Sequence, residues 1–177
     1  MACIKKVSQN LAFDCHNPGL ISGINGIEEA VIINFEDVAT LTSSQQTGEA
    51  NITLKKGTRG YTIQCVKNSC QETEAIKIND NAPTMMEISM IIKILSSLPV
   101  VSYIIAALSG TFLVAVRTKT NQYFLLGVHA QLEASDFSTD SATDGVSVIT
   151  LKTPDNSCGD YRYSITVDQY NSLKNVN

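Results

Sequence analysis

Five cysteines and two histidines are the residues best suited to chemistry: Cys3, Cys15, Cys65, Cys70, Cys158, His16 and His129. No two cysteines have the C-x-x-C spacing of a zinc site or a redox dithiol. Cys65 and Cys70 lie five apart and could face each other across a tight hairpin. The cysteine number is odd, and the opening MACIKKVSQN has positive charge with no apolar run behind it, unlike a secretory leader. Reduced thiols in a cytosol-made protein are therefore expected. Cys15 and His16 are sequence neighbours, which point to opposite faces of an extended strand, so they make a poor nucleophile–base pair. His129 has no Cys or carboxylate at ligand spacing and reads as a packed or surface histidine.

The carboxylates offer no better start. Asp136, Asp140 and Asp144 fall in a polar stretch, and 140–145 has the opening pattern of a calcium loop. Ala142 then stands where an oxygen ligand belongs, and Leu151 where the bidentate Glu belongs, so a solvated acidic loop is expected. No GxSxG, phosphate loop or dinucleotide fingerprint occurs; GLISGING at 19–26 precedes a strand and opens no helix. Asn51-Ile52-Thr53 matches a glycosylation acceptor, without a leader to give it weight. The reading is of a non-enzymatic protein, with no catalytic, cofactor-binding or metal-binding residue to name and no cofactor.

At 177 residues the chain suits a single domain over 1–177, with a polar N-terminal tail and a C-terminal extension. Hydrophobic residues are 44%, enough for an ordinary core, and charged residues only 17%, so Ser, Thr, Asn and Gln cover part of the surface. A net charge of −4 argues against a nucleic-acid clamp, which needs clustered Lys and Arg. The lack of Trp argues against a base-stacking platform.

The hydrophobic pattern predicts mostly strands. β-Branched residues predict one over 27–35, followed by a turn or single helical turn at 36–39. Thr40 to Ala50 reads as a polar loop. Strands over 51–55 and 61–66 flank the turn Lys56-Gly57-Thr58-Arg59-Gly60 and read as a hairpin, with 72–78 pairing back. Alternation of Met86, Ile88, Met90, Ile92 and Ile94 predicts a strand over 85–95. Capping serines at 96–97, Pro99 and the stop Gly110 predict a helix over about 98–108. Strands follow over 111–117, 123–132 and 146–152, with a polar acidic loop at 133–145. A Tyr-containing strand from 161 to 165 leads to one or two helical turns at the end.

Residues 98–116 contain no charge and approach the length of a membrane span. Pro99 and Ser109-Gly110 punctuate the run, and Ser102, Tyr103 and Thr111 dilute it, so a helix-plus-strand core is favoured and no membrane is expected.

Residues 12–42, AFDCHNPGLISGINGIEEAVIINFEDVATLT, resemble the N-terminal region of tail-tube-like and ring structural proteins of tailed bacteriophages of Bacteroidetes, including crAss-like phages. The matching residues are Phe13, Asp14, Cys15, Asn17, Pro18, Ile33, Asn34, Asp37 and Val38. ITLKKGTRGYTI (52–63) is similar to the first hairpin of those proteins, and 86–117 and ITLKTP (149–154) fall in the same order. The apolar stretch 98–108 departs from their commoner charged version. The resemblance implies a mainly β fold, a tail-tube-like sandwich or barrel with a flanking helix, closing into a ring. It implies a virion structural protein of the tail, neck or collar, assembled in the host bacterial cytoplasm. Its partners would be copies of itself and neighbouring tail, collar or portal proteins. DNA would pass through the ring without tight binding. The alternative is a soluble β-sandwich binding or adhesion module without catalytic activity.

Overall fold

The computed structural model describes residues 26–65, 69–78, 84–94, 109–140, 146–155, 157 and 159–174. Among the described residues the fold is mainly β, with two sheets and one short complete helix. The strands are β1 (Ile27–Asn34), β2 (Val38–Ser44), β3 (Glu49–Leu54), β4 (Tyr61–Gln64), β5 (Cys70–Lys77) and β6 (Met85–Ile94). They continue as β7 (Phe112–Thr118), β8 (Tyr123–Leu126), β9 (Glu133–Asp140), β10 (Val146–Lys152) and β11 (Tyr163–Ser164). A 3-10 turn at Phe35–Asp37 joins β1 to β2, and helix α1 (Val167–Leu173) closes the described chain. The expected helix at 98–108 lies outside the described residues, as do Cys3, Cys15, His16 and Cys158.

The larger sheet runs β2-β3-β11-β8-β7-β1-β4, and the smaller β5-β6-β10-β9. Neighbours are antiparallel except β3 and β11. Next to terminal β4 come β1 and β7, paired from Ala30↔Val116 to Asn34↔Phe112. Their sequences, AVII and FLVAV, are unbroken apolar runs because both faces are covered. Ala30, Ile32, Val114, Val116 and Leu126 face the smaller sheet, where Ile88, Met90, Ile92, Ile149 and Leu151 meet them. Strict alternation in β6 follows from having one buried face.

The other face of the larger sheet encloses a second core. Val31 and Ile33 of β1 and Leu113 and Ala115 of β7 share it with Ala50 and Ile52 of β3, Tyr163, Tyr170 and Leu173. Only residues 55–60 link β3 to β4, five positions away in the sheet order, a span that so short a link covers only if the sheet curls, so this half is a partial barrel with α1 packed into it. Thr166 starts α1 with a complete capping box: its hydroxyl accepts from Gln169 N, and Gln169 Oε1 accepts from Thr166 N.

Four expectations are corrected. The stretch 40–50 is not a loop: Val38–Ser44 and Glu49–Leu54 form a ladder, bulged between Val38 and Thr40. Strands β3 and β4 do not pair as a hairpin; β4 crosses to β1, with Ala30 opposite Ile63. Gly60 permits that crossing, since a Cβ there would lie 2.5 Å from Val31 Cγ1 and 3.1 Å from Ile32 O. Strand β5 does not pair back on β4 but joins β6 in the other sheet. The acidic stretch from 133 is strand β9, whose bulge at Thr150/Leu151 of β10 lets Ala134 and Phe137, three apart, both reach the core.

Cys65 and Cys70 form a disulfide, which overturns the expectation of reduced thiols for this pair. The reason is topological. Cys65 follows the last residue of β4 and Cys70 opens β5, so the pair bridges the margins of the two sheets with Cα atoms 5.4 Å apart, inside bridging range.

Candidate assembly surface

Strands β2, β4, β5 and β9 terminate their sheets among the described residues. A terminal strand presents N–H and C=O groups that can pair with another chain. Two of them carry the largest exposed apolar side chains. Tyr61 on β4 is 50% exposed, Ile76 on β5 65%, and Ile78 just beyond β5 78%. The disulfide ties the end of β4 to the start of β5, so these two terminal strands border the same side of the sandwich. The opposite end of the smaller sheet is β9, with exposed Glu133 and Asp136. The turn leading into β4 carries exposed Lys56 and Arg59. The two flanks thus differ in charge.

Beside β2 lies an open groove of about 590 Å³, with Phe35, Val38, Leu41 and Val128 as its apolar wall and Glu36 and Lys55 at its rim. Lys55 Nζ donates to Glu36 O, which fixes that rim.

His129 lies in the loop after β8, and its Nε2 is 2.6 Å from Tyr163 Oη. Asp160 Oδ1 accepts from the backbone N–H groups of His129 and Tyr161. Asp160 is fully buried, and its Oδ2 has no hydrogen-bond partner among the described residues. Burial raises its pKa above 3.8, and the backbone donors only partly offset this. Burial likewise raises Tyr163. The carboxylate therefore meets the backbone of His129 and not its ring; among the described residues the ring's hydrogen-bond partner is the Tyr163 hydroxyl, and no Ser, Thr or Cys side chain is bonded to it. The arrangement anchors the 127–132 loop. Glu72, on β5, is the second raised carboxyl: burial comes first, and repulsion by Glu74 adds to it against the attraction of Arg162. Arg162 lies between Glu72 and Glu74 on one side and the Phe124 ring, 4.9 Å away, on the other. It links β5 to the larger sheet.

Asp160 gives a pH prediction with a definite sign. Its folded pKa is raised, so the stability it contributes is present below 3.8 and lost as pH rises through the folded value. Asp160→Asn should remove that component, flattening a slope of at most about 1.4 kcal/mol per pH unit. Urea denaturation from pH 3.5 upward reads it; an unchanged slope would refute the assignment.

No family model, curated protein or solved structure matches the chain.

Among the described residues, no group of three His, Cys, Asp or Glu side chains is placed to hold a metal ion. No described helix is long and apolar enough to cross a membrane, and residues 112–116 of the candidate span lie in β7. Sequence reasoning passed over Asp160, which sits in a Pro- and Gly-containing loop like any turn aspartate. Its only local signal was the neighbouring Gly159, with φ of +79°.

Proposed function

We propose that this chain is a virion structural protein, a subunit of a homo-oligomeric ring in the tail, neck or collar of a tailed phage. Its function is assembly around the channel through which the genome leaves. The observation that carries this reading is the asymmetry of the terminal strands. One flank has β4 and β5 with Tyr61, Ile76 and Ile78 exposed, and the other has acidic β9. Unlike flanks favour head-to-tail contacts, and identical subunits joined head to tail close into rings when the rotation allows. The resemblance in residues 12–42 supplies the virion context. A net charge of −4 suits a channel along which DNA slides without sticking. Partners would be neighbouring tail, collar or portal proteins.

The groove beside β2 favours a second reading, a soluble β-sandwich binding module. Particle mass separates the two. A ring subunit forms closed multimers alone or on mixing with a neighbouring tail protein, whereas a binding module stays monomeric in both conditions.

A further inference from the structure

The Cys65–Cys70 bridge is placed where it controls one strand. Strand β4 has four residues and terminates the larger sheet, with Tyr61, Thr62 and Gln64 exposed. Its ladder joins it to β1 alone, from Glu29↔Gln64 to Ile32↔Tyr61. In the space between the sheets it is secured by half-buried Ile63 and by Cys65, and at its two ends by the backbone bonds Gly60 N–H to Leu173 O and Cys65 N–H to Glu28 O. Strand β5, on the other side of the bridge, is held independently by an eight-pair ladder to β6, from Cys70↔Ile92 to Lys77↔Met85. The bridge therefore connects a weakly held strand to a firmly held one.

We infer that Cys65–Cys70 is a redox-operated clasp that holds β4 on the sandwich and, when reduced, releases β4 while both cores stay folded. Release uncovers the β1 margin, whose residues Ala30, Val31, Ile32 and Ile33 are buried in the closed form. A strand with both faces apolar and a free hydrogen-bonding row is a site for pairing with another chain. The redox state of one bond thus decides which strand terminates the larger sheet. This holds whether or not the chain forms a ring.

The closing chemistry is thiol–disulfide exchange with a small-molecule disulfide. Cys65, at 7% exposure against 1% for Cys70, is the more exposed residue of the pair and is taken as the attacking one. Its thiolate attacks the small disulfide, forming a mixed disulfide and expelling one small thiolate. The Cys70 thiolate then displaces the second small thiolate and forms the Cys65–Cys70 bond. Two protein thiols are oxidised, one small disulfide is reduced to two thiols, and the two protons lost by the cysteines end on the leaving thiolates. A small dithiol reverses the sequence.

Hydrogen–deuterium exchange of the full chain tests this, after oxidation with glutathione disulfide and after reduction with dithiothreitol. Peptide mapping of alkylated thiols verifies the state of Cys65 and Cys70. Reduction should speed exchange of the β4 amides by about tenfold or more, with β7 and β8 unchanged. The double variant Cys65→Ser/Cys70→Ser should match the reduced protein. Unchanged β4 exchange after verified reduction would overturn the clasp, because the bond would then be passive. Equal loss of protection in β7 and β8 would also overturn it, as would failure of glutathione disulfide to close the bond.

Discussion

Replacing Tyr170 with alanine should cost about 3–5 kcal/mol of stability, read as a lower urea midpoint at unchanged slope. Tyr170 is fully buried in the second core. Its ring lies 5.1 Å from that of Tyr123, and Lys174 Nζ sits 4.7 Å from its centroid. Its hydroxyl donates to Glu29 Oε1 at 2.8 Å. Burial and then the Glu29 hydrogen bond raise the phenol far above 10, so it remains a donor at every ordinary pH. The residue is thus both the stopper of the partial barrel and the tie from α1 to β1. Tyr170→Phe separates the two roles. It keeps the ring and removes the donor, and should cost only about 0.5–1.5 kcal/mol, since Lys174 still pairs with Glu29. Burial alone would raise Glu29, but hydrogen bonds from Lys174 and Tyr170 and the charges of Lys174 and Arg117 bring it below 4.5. Its contribution is therefore present above pH 4.5 and lost as pH falls through the folded value. If both Tyr170 variants were as stable as the parent, α1 would not close the barrel.

The second large effect is expected at Gly127, which turns the chain from β8 into the loop carrying Val128 and His129. Its φ is +89°, and an added Cβ would lie 2.9 Å from Phe112 O and 3.2 Å from Leu113 Cδ2. Gly127→Ala meets two independent penalties. The left-handed backbone costs a non-glycine residue about 1–2 kcal/mol. The clash is with a backbone oxygen already committed to Leu132 N–H, so it cannot be relieved by a rotamer change. Overpacking of this kind typically adds about 1–3 kcal/mol. The sum, about 2–5 kcal/mol, should appear as a lower thermal midpoint. Loss of the tyrosine-linked His129 NMR signal should accompany it. A variant with parental stability would contradict the tight seat of this turn.

Strand content was legible where burial leaves a simple signature. Strands β1 and β7 are unbroken apolar runs, and β6 alternates, because the number of covered faces sets the pattern directly. Strands β2 and β9 look like loops in sequence for a shared reason. Each is polar, terminates its sheet and pairs through a bulge, which shifts the alternation by one residue. Pairing was harder still. The turn Lys56-Gly57-Thr58-Arg59-Gly60 serves a hairpin and a crossover equally well, and the choice rests on how closely Gly60 seats on Val31 and Ile33, a contact between distant segments. The sequence separation of Cys65 and Cys70 permitted a bridge, yet only the placement of β4 and β5 in different sheets gives it a purpose. Tyr61, Ile76 and Ile78 were unremarkable as strand residues. Their meaning came from the sheet order, which puts them on terminal strands.

Under the proposed function, the two unlike flanks assemble head to tail. Mass photometry of the purified full chain, alone and with a neighbouring tail protein, tests it most directly. The expected result is a discrete population of closed multimers in at least one condition, weakened by Ile76→Asp/Ile78→Asp without loss of monomer folding. A strict monomer in both conditions would contradict it.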